Sequence, residues 1–186
     1  MNIPKNSEQM KRFSVFFFMG CVIFCSGCAY FNTFYNARRY FEEGEKARLE
    51  NVGESLPSSA KNAYQSVIDK SILILNKYPQ SKYVLPGMLL IGKSRYHLGE
   101  YTQAENMFRR LEQEGGAEYQ NESQYWLALT KWKSGKPLPA LNELRTLNDQ
   151  INDNQFLAKI HLSKAEIYIE IEETDQALVS LDKAAD

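Results

Sequence analysis

The sequence predicts an all-α fold, an α-solenoid of stacked helix-turn-helix hairpins, and three observations predict it. Met88, Ile91, Gly92, Arg95 and Tyr96 fall at helical spacing, and Tyr101, Ala104, Phe108 and Leu111 do so again. Between the two sets lies the turn Leu98-Gly99-Glu100. The arrangement then recurs, with Ala104, Ala140 and Ala177 spaced by 36 and 37 residues. Small residues such as Gly92 and Ala104 belong where two helix axes cross closely, because no side chain can stand between them. One hairpin cannot bury its own apolar face, so the repetition is what makes the fold stable.

Residues 1–27 stand apart from this pattern. Lys5, Lys11 and Arg12 give a basic start, Phe13 to Phe24 is an apolar run of 12, and Cys25-Ser26-Gly27-Cys28 follows. A helix needs ~20 residues to span a bilayer, so the run reads as a processed export segment. Ser26 and Gly27 before Cys28 resemble a bacterial lipoprotein signal, which implies cleavage before Cys28 and lipidation of that residue. An uncleaved anchor helix or a non-lipidated secretory signal is the alternative. All three cysteines lie at or before this junction, so the rest of the chain has no thiols for disulfides or metal. Alanine rather than aspartate follows Cys28. By resemblance to lipoproteins of two-membrane bacteria, that implies the outer membrane, on its periplasmic side.

Residues 28–186 then form one repeat domain of about four hairpins. Removing residues 1–27 takes away three bases and Glu8 and shifts the net charge from −1 to −3. No basic excess argues for nucleic acid. Tyr30, Phe34, Ala37, Phe41 and Gly44 share one helical face, read as the first helix of the first hairpin packing on its neighbour. A membrane-surface helix is the sharper alternative, opposed by Glu42, Glu43 and Glu45. Residues 50–60 have loop composition. Tyr64 to Tyr78 reads as a second helix closed by Pro79.

In the third unit, Trp126, Ala128 and Trp132 precede Gly135 and Ala140, and in the fourth Ala165 and Tyr168 precede Ala177. Extra loop residues are expected at Gly115-Gly116 and at 152–154. The last helix keeps an apolar face of Leu178, Leu181 and Ala184 with no polar capping helix after it. That reads as a truncated array or as a face covered by a partner.

The unit of small residue, Gly-x-Tyr, Ala and an aromatic four residues on resembles a tetratricopeptide repeat. The resemblance implies a right-handed superhelix whose first helices line the concave face. Together with the lipoprotein junction and Tyr78-Pro79-Gln80-Ser81-Lys82-Tyr83, the chain is similar over about residues 28–150 to the BamD-like outer-membrane assembly lipoproteins. That resemblance implies a non-enzymatic part of the machinery that inserts β-barrel proteins, binding its barrel-bearing partner and unfolded substrate. A generic adaptor of another envelope, secretion or peptidoglycan-related complex is the alternative.

No catalytic set and no cofactor site emerges. His97 sits at a helix end, where a cation suits the helix dipole, and His161 reads as the start of a helix. Neither has cysteines or carboxylates at ligand spacing, so no metal is expected. Gly115-Gly116 lacks the Gly-Lys-Ser/Thr of a phosphate loop. Lys93, Arg95, Lys131 and Lys133 lie on first helices, as a weakly basic inner face for an acidic peptide or as a merely solvated one. The expected partner-binding set is Arg95, Tyr125, Lys131 and Trp132, with core packing the plainer reading of the aromatics.

Overall fold

The computed structural model describes residues 31–185, which form eight helices and no strand. The export segment, Cys28 and Tyr30 lie outside the described residues. Helix α1 covers 31–49 within that range, and α2 (Ser58–Lys77), α3 (Val84–His97) and α4 (Tyr101–Glu114) follow. After them come α5 (Gly116–Lys133), α6 (Pro137–Asn148), α7 (Asn154–Glu170) and α8 (Thr174–Ala185). Consecutive helices pack on one another along the chain, giving four hairpins in a stack.

Each helix buries a narrow stripe. In α4 the stripe is Ala104, Phe108 and Leu111, at the i, i+4, i+7 spacing of one helical face. The crossing positions are as the pattern requires: Ala104 and Ala140 are fully buried, and Ala177 nearly so. A methyl group added to Gly92 would stand 2.4 Å from the Phe108 ring, so the glycine is there to admit that ring. In the first hairpin Gly44 faces Tyr64 in the same way, and Ala60 is the fully buried alanine of that crossing.

The turns inside the last three hairpins share one geometry. Gly99, Gly135 and Glu172 adopt φ of 78°, 81° and 63°. In each turn the following amide reaches back to the carbonyl of Arg95, Lys131 or Tyr168, at 2.9, 3.2 and 2.9 Å, satisfying a helix-end acceptor. Glycine takes positive φ freely, whereas Glu172 bears a strain of ~1 kcal/mol there.

Gly115-Gly116 provides no extra loop: α4 ends at Glu114, α5 begins at Gly116, and the additional residues lengthen α5 to 18. The junction at 149–153 is a true connection, and Asp153 caps α7 by accepting from the Gln155 amide at 2.9 Å. The core runs without a break from Phe108 through Trp126, Leu144 and Ile160 to Ala177.

Candidate functional site

The stack has an inner and an outer side. Helix α3 touches α5 and α5 touches α7, whereas α4 does not meet α6, nor α6 meet α8, among the described residues. First helices are therefore closer together than second helices, and they form the concave side.

On that side three first helices meet through one carboxylate. Glu122 of α5 lies 2.7 Å from the Lys93 ammonium of α3 and 3.3 Å from that of Lys159 on α7. Trp126, one turn along α5, donates its indole N–H to the same carboxylate at 2.9 Å. Lys159 stands 4.0 Å from the Tyr125 ring centre, 5.1 Å from Phe156 and 5.4 Å from Trp126, a partial aromatic cage around a cation. Lys93 sits 5.2 Å from Trp126.

Burial works against the Glu122 charge, but the two lysines and the indole outweigh it and hold its carboxyl at about 2. Burial pulls the Lys159 amine down, with Lys93 adding to the shift and Glu122 opposing it. Two ammoniums thus share one carboxylate. Glu166, an exposed residue farther along α7, is near enough to raise the Tyr96 and Tyr125 hydroxyls, after burial itself.

The strip continues toward the N-terminus as a tighter network. Glu45 of α1 accepts from Arg48 at 2.8 and 3.1 Å and from the Tyr64 hydroxyl, and its carboxylate lies 3.2 Å from His97 Nε2. Burial opposes ionisation of Glu45, yet the hydrogen bonds from Arg48 keep its carboxyl below the usual range. His97 stacks on Tyr64 at 5.1 Å and meets Trp126 edge-on at 5.9 Å. Burial lowers its imidazole to about 4 against the pull of Glu45, so at neutral pH it is uncharged. It is a buried neutral ring packed among aromatics, not the helix-end cation its position suggests. His161 lies within α7, not at its start, and is 8% exposed. No three His, Cys, Asp or Glu residues cluster as a metal site among the described residues.

The four residues expected to bind a partner do not form one site. Arg95 pairs with Glu100 across its own turn at 2.6 Å. Tyr125 is 4% exposed and shares a 2.7 Å hydrogen bond with Ser163, so its hydroxyl is spent on joining α5 to α7. Trp132 is also 4% exposed, with the Lys133 ammonium 3.4 Å from its ring centre. Lys131 pairs with Glu143 on the outer side of the stack. Tyr125 and Trp132 are thus both packed in the core, the plainer of the two readings of these rings, and neither presents an open face. Trp126, with Lys93, Glu122 and Lys159, occupies the place assigned to Trp132. Glu122 and Lys159 carried a readable signal, since they are 37 residues apart, the repeat length, with opposite charges.

The outer side holds a different feature. Because α4 and α6 splay apart, a groove of about 390 Å³ opens between them over α5. Arg109, Glu112, Leu127, Lys131, Glu143 and Leu147 are among its walls.

The model of the tetratricopeptide repeat matches residues 87–114, the α3–α4 hairpin. The eight helices are stacked pairwise as hairpins of this kind. Among solved structures, MamA MSR-1 C2 is similar at 13% identity over 83% of this chain and 95% of that chain, with a TM-score of 0.48. MamA AMB-1 P212121 is similar at 14% identity over 83% and 91%, with a TM-score of 0.45. No curated protein matches. No helix of the described residues is long and apolar enough to cross a membrane.

Proposed function

We propose that this protein is a non-enzymatic scaffold that holds an extended segment of a protein partner along its concave face. The observation that carries the reading is the Lys93–Glu122–Lys159 group, which joins three hairpins, is partly open to solvent, and leaves two ammoniums to one carboxylate. An acidic side chain of a partner would complete the charge balance there, and the half-buried ring of Phe156 would take its apolar neighbours. The lipoprotein junction at Cys28 and the Tyr78-Pro79 corner support a finer reading. On it, the scaffold is lipid-anchored at the outer membrane, faces the periplasm, and serves β-barrel assembly in the BamD-like manner. An adaptor in a different envelope complex is the second reading, favoured by the family match being confined to the repeat itself.

A photo-crosslinking residue at Phe156, used in intact cells and compared with one at the outer position Leu138, tests the binding face. Crosslinks to one protein from Phe156 and none from Leu138 are expected. The reverse pattern would overturn the concave site. Lys159→Gln should weaken capture of that protein several-fold, more at low than at high salt, while the melting temperature stays within a few degrees. Depletion should lower outer-membrane β-barrel content. Normal barrel levels with a different captured complex would decide for the second reading.

A further inference from the structure

We infer that the N-terminal corner of the solenoid is a membrane-contacting edge, which seats in the headgroup layer of a zwitterionic lipid surface. The inference rests on the reading of Cys28 as a lipidated residue and adds to it a surface that orients the stack.

Helix α1 carries two aromatic faces. Phe34, Ala37 and Phe41 look inward: Phe34 stacks on Tyr83 at 4.6 Å, and Phe41 lies 5.9 Å from Tyr64. Phe31 and Tyr35, four residues apart at the start of the helix, look outward and are 56% and 58% exposed. Their rings are 6.5 Å apart, and Tyr83 from the α2–α3 corner stands 6.3 Å from Phe31. Lys82, exposed, places its ammonium 5.3 Å from the centre of the Tyr83 ring. An exposed aromatic cluster with a long basic side chain beside it suits a membrane interface: the rings sit at headgroup level and the lysine reaches out to phosphate.

Chain length brings this corner to the bilayer. Phe31 follows Cys28 by three positions, a reach of at most ~11 Å. Each headgroup layer is roughly 5–7 Å deep outside the hydrocarbon. With acyl chains of Cys28 in the hydrocarbon, Phe31 stands in or beside that layer. The exposed Leu49, ~27 Å along α1, is carried away from it.

The charges select the type of surface. Arg38 pairs with Glu42 and Arg39 with Glu43, each at 3.6 Å along the helix, so the next turns of α1 present no net charge. The acidic residues that oppose an anionic membrane are thus balanced locally, and a zwitterionic surface such as phosphatidylcholine or phosphatidylethanolamine suffices.

The test uses the full-length protein isolated from membranes and placed in phosphatidylcholine vesicles. Mass spectrometry first establishes whether Cys28 carries acyl groups. A spin label at Tyr35→Cys, or at Phe31→Cys should the first variant fold poorly, is then compared with one at Leu138→Cys. Oxygen, which concentrates in lipid, should relax the corner label several-fold more than a water-soluble nickel chelate does, relative to the Leu138 label. Equal oxygen-to-nickel ratios at the two positions, with Cys28 acylated, would overturn the membrane edge and leave the anchor standing. An unacylated Cys28 would remove the premise, by a separate readout.

Discussion

At the crossing of each of the first three hairpins two side chains share one volume, and the first two divide it differently from the third. Gly44 faces Tyr64 and Gly92 faces Phe108, so a helix with no side chain admits a ring. At the equivalent repeat positions stand Ala128 with the fully buried Leu144 in the third hairpin, and Ala165 with Leu181 in the fourth, where Leu181 is 41% exposed. The two N-terminal hairpins thus trade a methyl for an aromatic ring, and the third hairpin, the C-terminal solution, keeps the methyl with a smaller aliphatic partner. The difference teaches that what is held constant is the sum, not either residue. The aromatic solution also carries polar baggage: Tyr64 brings a hydroxyl inside, Glu45 accepts from it, and Arg48 and His97 flank that carboxylate.

Breaking the N-terminal solution should have the largest effect. Gly92→Leu forces a side chain into the Phe108 ring and should lower stability by about 3 kcal/mol in urea unfolding. The pair Gly92→Ala with Phe108→Leu, which imports the C-terminal solution, should recover more than the two single changes predict. Strict additivity would show that the two positions do not share a volume.

The polar baggage gives a pH test confined to the N-terminal half. The folded pKa of His97, about 4, lies below its ordinary value, so the unfolded chain binds the proton first as pH falls. Stability is complete above about 6.5 and should decline toward pH 4 by roughly 2–3 kcal/mol. His97→Gln should flatten the curve across that window, and an unchanged slope would assign the loss to other groups. Glu45, whose pKa is lowered, contributes in the opposite part of the range: its share persists above the usual carboxylate pKa and is lost in stronger acid.

The smallest effect sharpens the comparison at the C-terminal end. Glu172 occupies the turn position that glycine fills in the two preceding hairpins. Glu172→Gly should raise stability by about 0.5–1 kcal/mol, whereas Gly135→Glu should lower it by a similar amount. No change in either melting temperature would mean that the turn is held by its flanking helices alone.

The hairpin register was legible because Ala104, Ala140 and Ala177 recur at nearly constant spacing and steric exclusion at a crossing leaves few alternatives. The inward face of α1, with Ala37 buried and Phe34 and Phe41 half-buried, was legible for the same reason, as periodicity shows which face of a helix is apolar. The site was less so. Trp126 and Trp132 have equal composition signals and both enter the core, and only the packing decides that Trp126 also meets Glu122. Charge type also misled at His97, since helix-end position favours a cation but burial disfavours one. The lysine–carboxylate group was hidden in hydrophilic positions that look solvated one helix at a time. It becomes visible when repeats are superposed, as does the second pair of this kind, Lys133 and Glu170, 3.6 Å apart.

The contact of first helices, with second helices standing apart, has a mechanical consequence. In bending, a stacked column keeps a constant length along the line where its units touch and changes length most on the side away from that line. Here the units touch where each second helix packs on the next first helix and, beside that, where the first helices meet, so the line lies close to the inner charges and away from the outer groove. Flexing the solenoid would therefore widen or narrow the groove between α4 and α6 while leaving the spacing of the inner charges almost unaltered. Anything wedged into the outer groove would act as a shim, setting the curvature of the whole protein from outside without touching the face that holds the partner.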